Sequence, residues 1–422
     1  MRYVTKTTQT NKICVVGAGA AGFFGAIRAA EVRPHAEVTL LEATRRPLTK
    51  VKVSGGGRCN VTHHCFDIDQ LMQAYPRGFR ELRGAFHRFQ PQDTIRWFQG
   101  HGVELKTESD GRMFPTTNSS STIIECLTQQ AAAADVTLVK GALIDEISHQ
   151  DSGFKLTTKR GPNFHADAIL LATGSQPNGY ELARKLGHTI VEPVPSLFTF
   201  QIDHPLLKDM AGQSFGKASV SLKVGSPKAK TFRQNGPLLI THWGLSGPAV
   251  LKLSAFAARE LYQTDYQARL TVNLLAPDDQ DTALARLVVQ KASSPSKPLG
   301  SLSPLAMSRR FWQRCLAVAK IDEQQKWQQT SHKDLRRLVQ FLASIPFNVQ
   351  GKGEFKEEFV TCGGIKLNEV DFRTMQSRIC PRLYFAGEIL DIDGITGGFN
   401  FQNAWTTAWI AGTAMGTSNQ SA

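Results

Sequence analysis

The stretch "KICVVGAGAAGFFGAIRAAEV" (residues 12–32) constrains this chain more than any other. A short run rich in β-branched apolar residues leads directly into three spaced glycines. Apolar residues at helical spacing come next, giving the pattern of a strand, a tight turn and a helix. A second apolar run, "AEVTLLE", ends in Glu42, about twenty residues beyond the last glycine, where a dinucleotide-binding βαβ unit carries its acid. Gly17 is expected to permit the turn. Gly19 lets a pyrophosphate approach the backbone of Ala18, Ala20 and Ala21, and Gly22 lets the helix pack closely. Unpaired N–H groups and the helix dipole favour an anion at this end. A carboxylate at Glu42, beside Ala43, suits the hydroxyls of an adenosine ribose and disfavours a 2′-phosphate. The turn is therefore expected to take FAD or NAD rather than NADP.

The residues beyond Glu42 separate FAD from NAD. An NAD-binding unit usually continues into another helix and strand, but this chain runs "ATRRPLTKVKVSGGGRCNVTHH". Glycine gives up more backbone freedom on folding than any other residue, so three together mark a place where bare backbone is needed. Ser54, Gly55, Gly56 and Gly57 are expected to lie against the ribityl chain or ring of an extended FAD. Lys50 and Arg58 would hold phosphate or ring oxygens, with Asn60 beside them. Cys59, next to Arg58, reads either as a redox or nucleophilic thiol or as a small packing residue, the commoner use.

Further along, "FHADAILLATGS" reads as a buried strand whose Ala172, Thr173 and Gly174 return to the cofactor. Upstream, "VTLVKGALIDEISHQDSGFKLTTKR" alternates like a small β-meander, with Ala142 and Leu143 offering backbone to the adenine. Near the C-terminus, "PRLYFAGEILDIDGITGGFNFQNAW" gives a strand, Gly387 and Glu388, a glycine-bearing loop, and a helix starting near Phe399. Glu388 is placed to hold a ribityl hydroxyl. The N–H groups of Gly398, Phe399, Asn400 and Phe401 would face the N1–C2=O edge of the flavin ring and favour negative charge there.

Together, "GAGAAG", "SGGGRCNVT", "GRMFP", "LLITHWGLSGPAVLKLS", "TCGGI" and the C-terminal block resemble the BaiN/YhiN-like (aminoacetone-oxidase-family) FAD-binding flavoproteins of bacteria over nearly the whole chain. The resemblance implies an α/β fold: a Rossmann-like FAD-binding domain of the glutathione-reductase type, interrupted by an inserted β-barrel and a small helical subdomain. The expected boundaries are 1–191 for the first part of the FAD domain, 192–276 for the barrel and 277–345 for the helices. Residues 346–422 return to the barrel and the FAD domain. Cys362, Phe399, Phe401 and the Leu48-Thr49 pair depart from the family's usual residues, which bears on the substrate rather than on the fold.

Composition narrows the function classes. Hydrophobic residues make up 41% and charged residues 20%, an ordinary globular balance. No apolar run reaches the roughly 20 residues of a membrane span, and the polar N-terminus has no signal-peptide core. Seven scattered cysteines without a CxxC pair fit a reducing cytoplasm. The formal charge of +13 suits anionic cofactors and substrates, and leaves a nucleic-acid partner as the less expected use. The weaker catalytic candidates are His242, in "THWGLSGP", Arg112, in the "GRMFPTT" loop, and Cys59. His63, His64 and Cys65 lack a second ligand cluster, and no metal is expected.

The expected function is an FAD-dependent oxidoreductase that transfers hydride through flavin N5. The resemblance implies reduction of an activated C=C bond or oxidation of a small amine or ketone. An RNA-modifying flavoenzyme and a non-catalytic flavin redox sensor are the alternatives. NAD(P)H would serve as a transient electron donor. The segment 192–345 shows no second strand–glycine–helix unit able to hold a pyridine nucleotide, so donor and acceptor would share one face of the ring and meet it in turn. Initial rates are therefore expected to give parallel double-reciprocal lines, and intersecting lines would reveal a separate nucleotide site.

Overall fold

Apolar β-branched runs become the middle strands of a parallel sheet. The structure, a computed structural model, describes residues 11–150, 153–225, 229–353 and 360–417. It divides into one unit of Met1–Pro193 with Val360–Ala422 and a second of Val194–Phe359.

In the first unit, Lys12–Val16 pairs in parallel with Glu37–Glu42 on one side and Ala168–Leu171 on the other. Thr137–Lys140 extends the sheet beyond the former and Leu383–Phe385 beyond the latter. All of Ala168–Leu171 is buried, as expected of a strand covered on both faces. The chain builds outward on one side of Lys12–Val16 and then returns to build on the other. The carboxyl ends of Lys12–Val16 and Ala168–Leu171 therefore flank a topological switch point, where open α/β sheets bind their ligands. Helix Ala20–Val32 packs against the C-terminal helix Phe399–Thr417. Its Arg28 lies 3.8 Å over the Trp409 ring and donates to Thr413 Oγ1 at 3.0 Å.

Thr137–Lys140 belongs to this main sheet and not to the meander. Its Leu138 and Val139 stand in register with Leu40 and Leu41, an apolar pairing that alternation alone does not distinguish from a hairpin. The meander consists of Ile144–Gln150, Gly153–Thr158 and Phe164–Ala166.

The second unit holds a seven-stranded sheet in the order Ile345–Val349, Ala268–Asn273, Ser214–Val224, Lys230–Ile240, Gly244–Ser246, Phe200–Gln201, Gly351–Lys352. Its two edge strands are joined through Gln350, whose N–H donates to the Gln201 carbonyl at 2.9 Å. Helices Gln280–Ser293, Arg309–Val318 and His332–Ala343 share one apolar core with the sheet, in which Trp312, Trp327 and Leu338 join Val220, Leu222 and Leu270. Side-chain caps start all three: Asp279 accepts from the Thr282 N–H, Ser308 from Phe311 and Ser331 from Asp334, satisfying donors that have no partner within the helix.

This unit contains a strand–glycine–helix turn, Gly244–Ser246, Gly247 and helix Pro248–Phe256. Its glycine is packed rather than open: a Cβ on Gly247 would lie 2.9 Å from the Pro237 carbonyl oxygen and 3.0 Å from the Leu239 nitrogen. Backbone of the neighbouring strand fills the place a pyrophosphate would need.

Among the described residues no helix is long and apolar enough to cross a membrane. None of their His, Cys, Asp and Glu side chains forms a group of three able to hold a metal ion. Among the described residues no cysteine forms a disulfide.

Candidate cofactor site

The three glycines of the first turn meet three different environments. Gly17 has φ +102°, and a Cβ there would lie 2.6 Å from the Ala172 carbonyl oxygen. Its bareness lets the Ala172–Gly174 turn close against the first one at the switch point. A Cβ on Gly22 would sit 1.8 Å from the Gly17 carbonyl oxygen, so this glycine packs the helix onto its own turn. A Cβ on Gly19 would meet nothing within 4 Å. Gly19 caps the helix without a side-chain hydrogen bond, and the first helical turn carries no acid. Open space at a helix N-terminus suits a diphosphate.

Glu42 is already at work in the turn. Its Oε2 accepts from the Ala18 N–H at 3.0 Å, and its Oε1 accepts from the Thr44 N–H and hydroxyl at 2.8 Å each. A carboxylate offers about four lone-pair sites, so capacity for ribose hydroxyls remains. Ala43 beside it is exposed. The Ala142 N–H donates to the Glu42 carbonyl and the Leu143 carbonyl accepts from Lys159, which ties that corner to the end of the second strand.

The glycine-rich stretch ends a short helix. Ser54 turns extended, and Gly55, Gly56, Gly57 and Cys59 all have positive φ. A Cβ on Gly56 or Gly57 would meet nothing within 4 Å, so this bare backbone faces free space. Arg58 donates to Glu108 Oε1 at 2.6 Å, and its guanidinium lies 4.0 Å over the Phe114 ring. Lys50 Nζ reaches Glu388 Oε2 at 2.5 Å and Ser175 Oγ at 3.0 Å, while Glu388 Oε1 accepts from the Thr361 N–H at 3.1 Å. Three distant stretches thus meet at Glu388: Lys50, Ser175 (just past Gly174) and Thr361.

Arg112 lies in a strand, Arg112–Pro115, and not in a loop. Pairing with Leu105–Thr107 and Thr62–His63 holds it there, and its guanidinium is engaged by Glu108 and Asp110. His242 belongs to the second unit, exposed beside Trp243 between two strands. Cys59 is fully buried, and burial pushes its thiol up to about 12. A thiolate is strongly disfavoured there. Cys59→Ser is accordingly expected to retain flavin and most turnover. Arg58→Ala is expected to loosen the glycine loop and weaken flavin binding. Cofactor titration and steady-state assays check both, and an inactive but flavin-replete Cys59→Ser would make the thiol catalytic.

At the other end of the site, Asn60 secures the C-terminal helix. With its carboxamide oriented to satisfy both ends, the oxygen accepts from the Gly398 N–H at 2.9 Å and the nitrogen donates to the Thr62 carbonyl at 3.1 Å. The Gly398 N–H is therefore taken by the protein, unlike the expectation that it faces the ring. The N–H groups of Phe399, Asn400 and Phe401 open the helix, where no carbonyl of the same helix reaches them. Asn400 also bonds both the N–H and the carbonyl of Gly394.

The residues that fix the preceding loop are not legible in the sequence. Arg77 forms an ion pair with the fully buried Asp393. The Tyr75 hydroxyl donates to the Phe399 carbonyl at 2.7 Å, and His63, stacked on Phe399 with ring centroids 4.6 Å apart, has Nδ1 3.0 Å from the Gly397 carbonyl oxygen. Arg77 and Asp393 are 316 positions apart, and no spacing rule connects them.

The chain matches the HI0933-like protein Rossmann domain family over residues 11–414. It belongs to that family, whose members are flavin-dependent oxidoreductases. The ribosomal RNA dihydrouridine synthase of Escherichia coli (strain K12) is 28% identical over 403 residues, covering 94% of this chain and 95% of that one. The 3-dehydro-bile acid delta(4,6)-reductase of Clostridium scindens is 26% identical over 413 residues, covering 96% and 98%. Among solved structures, the 3-ketosteroid-delta4-(5alpha)-dehydrogenase of Rhodococcus jostii RHA1 aligns with a TM-score of 0.51 at 14% identity, covering 99% of each chain. A flavocytochrome c3 fumarate reductase aligns with a TM-score of 0.50, also at 14% identity, over 97% of this chain and 78% of that one. At such identities the likeness is one of fold.

Proposed function

We propose that this flavoenzyme reduces a C=C bond conjugated to a carbonyl, and that the bond is the C5=C6 bond of a uracil base within RNA. The reading is carried by the end-to-end similarity to two enzymes whose names share one bond type. Dihydrouridine is uridine saturated at a bond conjugated to a ring carbonyl, and a 3-oxo-Δ4,6 system is a longer version of the same array. The +13 charge, suited to many phosphates rather than a single carboxylate, and the dihydrouridine-forming relative favour the nucleic acid over a ring ketone such as a bile acid. RNA, an alternative on sequence alone, thereby becomes the first choice. Oxidation of a small amine receives no support from either relative.

Bound FAD supplies hydride chemistry, and the chain's residues hold and tune it. The open Gly19 backbone and the helix N-terminus would receive the pyrophosphate, and Glu42 the adenosine ribose. Lys50 and Glu388 would meet the ribityl chain, with bare Gly56 and Gly57 alongside. The N–H groups of Asn400 and Phe401 would favour negative charge at the pyrimidine edge of the ring.

The test is to incubate FAD-loaded protein and NADPH or NADH with ribosomal RNA from cells lacking the gene, then digest and weigh the nucleosides. Uridine gaining two hydrogens is the expected result. Turnover with a 3-oxo-Δ4 steroid and none with RNA would move the substrate to the small-ketone class. Failure with both would overturn the reading.

A further inference from the structure

The basic excess is unevenly shared. Residues 194–359 carry 22 Lys and Arg against 13 Asp and Glu, a net +9, while the larger first unit carries 27 against 23, a net +4. Within the second unit three cations, Lys223, Arg233 and Arg269, fall together on one face of the sheet. Strand pairing sets Thr231, Lys223, Arg269 and Asn348 side by side across four strands. The next row on the same face is Arg233, Ser221, Thr271 and Pro346, and the next is Asn235, Ser219 and Asn273. Alternate residues of these strands, such as Val220, Leu222, Leu270 and Phe347, are buried in the core, so the three rows form the solvent side.

Those eleven positions contain three cations, seven hydroxyl or amide side chains and one proline, with no acid and no aromatic residue. Among the described residues, neither Lys223, Arg233 nor Arg269 makes an ion pair, whereas Arg286 pairs with Asp278, Arg337 with Asp334 and Lys230 with Glu260 elsewhere in the unit. Lys223, Arg269 and Asn348 also line a groove of about 510 Å³ together with Thr264 and Gln267.

We infer that this sheet face docks the sugar-phosphate backbone of structured RNA. Lys and Arg with Ser, Thr and Asn are the side chains that contact phosphate and sugar oxygens. The lack of aromatic side chains means that the face positions RNA and does not read bases by stacking. The lack of large apolar side chains disfavours a membrane surface, which an interfacial element enters through an apolar face. The inference deepens, and rests on, the reading of the substrate as RNA.

Binding of the FAD-loaded protein to ribosomal RNA from cells lacking the gene is measured across a salt series. The triple variant Lys223→Gln, Arg233→Gln, Arg269→Gln is compared with Arg309→Gln, Arg310→Gln, Lys333→Gln, which removes equal charge from exposed helix positions. The sheet triple is expected to weaken binding by about tenfold or more and to lower the salt slope by about 2 to 3, one phosphate contact per cation. The helix triple should change affinity less than about twofold. A single Asn348→Glu, at an exposed position, with its fold checked by a thermal melt, should weaken binding in the same direction. Equal effects of the two triples, or wild-type protein that binds anionic vesicles but not RNA, would overturn the docking face. Dihydrouridine formation separates the two claims: product made by a sheet triple of undiminished affinity removes this inference alone. Wild-type binding without product, lost in the sheet triple, removes the reaction alone.

Discussion

Gly19→Val is expected to give a folded, colourless protein. Gly19 is extended, with φ −88° and ψ −168°, a conformation valine adopts readily. A Cβ there meets no protein atom within 4 Å, so the fold has no reason to object. The branched side chain would instead fill the space in front of the helix N–H groups, where a diphosphate would have to come within hydrogen-bond distance of the backbone. Gly22→Val supplies the contrast three residues on. Its Cβ would sit 1.8 Å from a backbone carbonyl, which no rotamer relieves, and the cost is about 3 kcal/mol or more, at the upper end of overpacking. Thermal melts and visible absorbance of the two purified variants distinguish the roles. A yellow Gly19→Val protein with normal flavin content would show that the cofactor lies elsewhere.

Arg77→Met is expected to cost about 3 to 5 kcal/mol of folding stability, because it leaves the carboxylate of Asp393 buried without its counter-charge. The Asp393 side chain is 0% exposed and that of Arg77 17%. The pair sits in the loop that runs into the C-terminal helix, so flavin affinity should fall together with stability. The double variant Arg77→Met, Asp393→Leu should recover much of the loss, since replacing both members of a buried pair with apolar residues is often close to neutral. Urea unfolding of the single and double variants measures this. A single variant within about 1 kcal/mol of wild type, the range of an exposed pair, would mean that Asp393 finds water or another donor and that the pair does not hold the loop.

Local chemistry wrote much of the first unit into the sequence. A β-branched run, three glycines and a helical apolar pattern specify strand, turn and helix over a few residues, and so Lys12–Val16, the open Gly19 and the helix Ala20–Val32 were legible. The same holds for the bare backbone of Gly55–Gly57 and for the helix that begins at Phe399. The capped helix starts at Asp279, Ser308 and Ser331 likewise depend on hydrogen bonds that span only three residues. Other features were settled by partners far away in the chain. Thr137–Lys140 alternates like a hairpin strand, and only its apolar register with Leu40 and Leu41 made it part of the parallel sheet. That the Asn60 oxygen accepts from the Gly398 N–H is likewise a contact between residues far apart in the chain. Arg112 reads as a catalytic candidate in a loop, and only the tertiary structure sets it in a strand with Glu108 and Asp110 engaging it. The acid-free face of the second unit exists only because strand pairing aligns positions that lie far apart in sequence. A backbone conformation is chosen by a residue and its near neighbours, whereas the occupation of a hydrogen-bond donor, a charge or a face is decided by whichever group tertiary packing brings within about 3 Å.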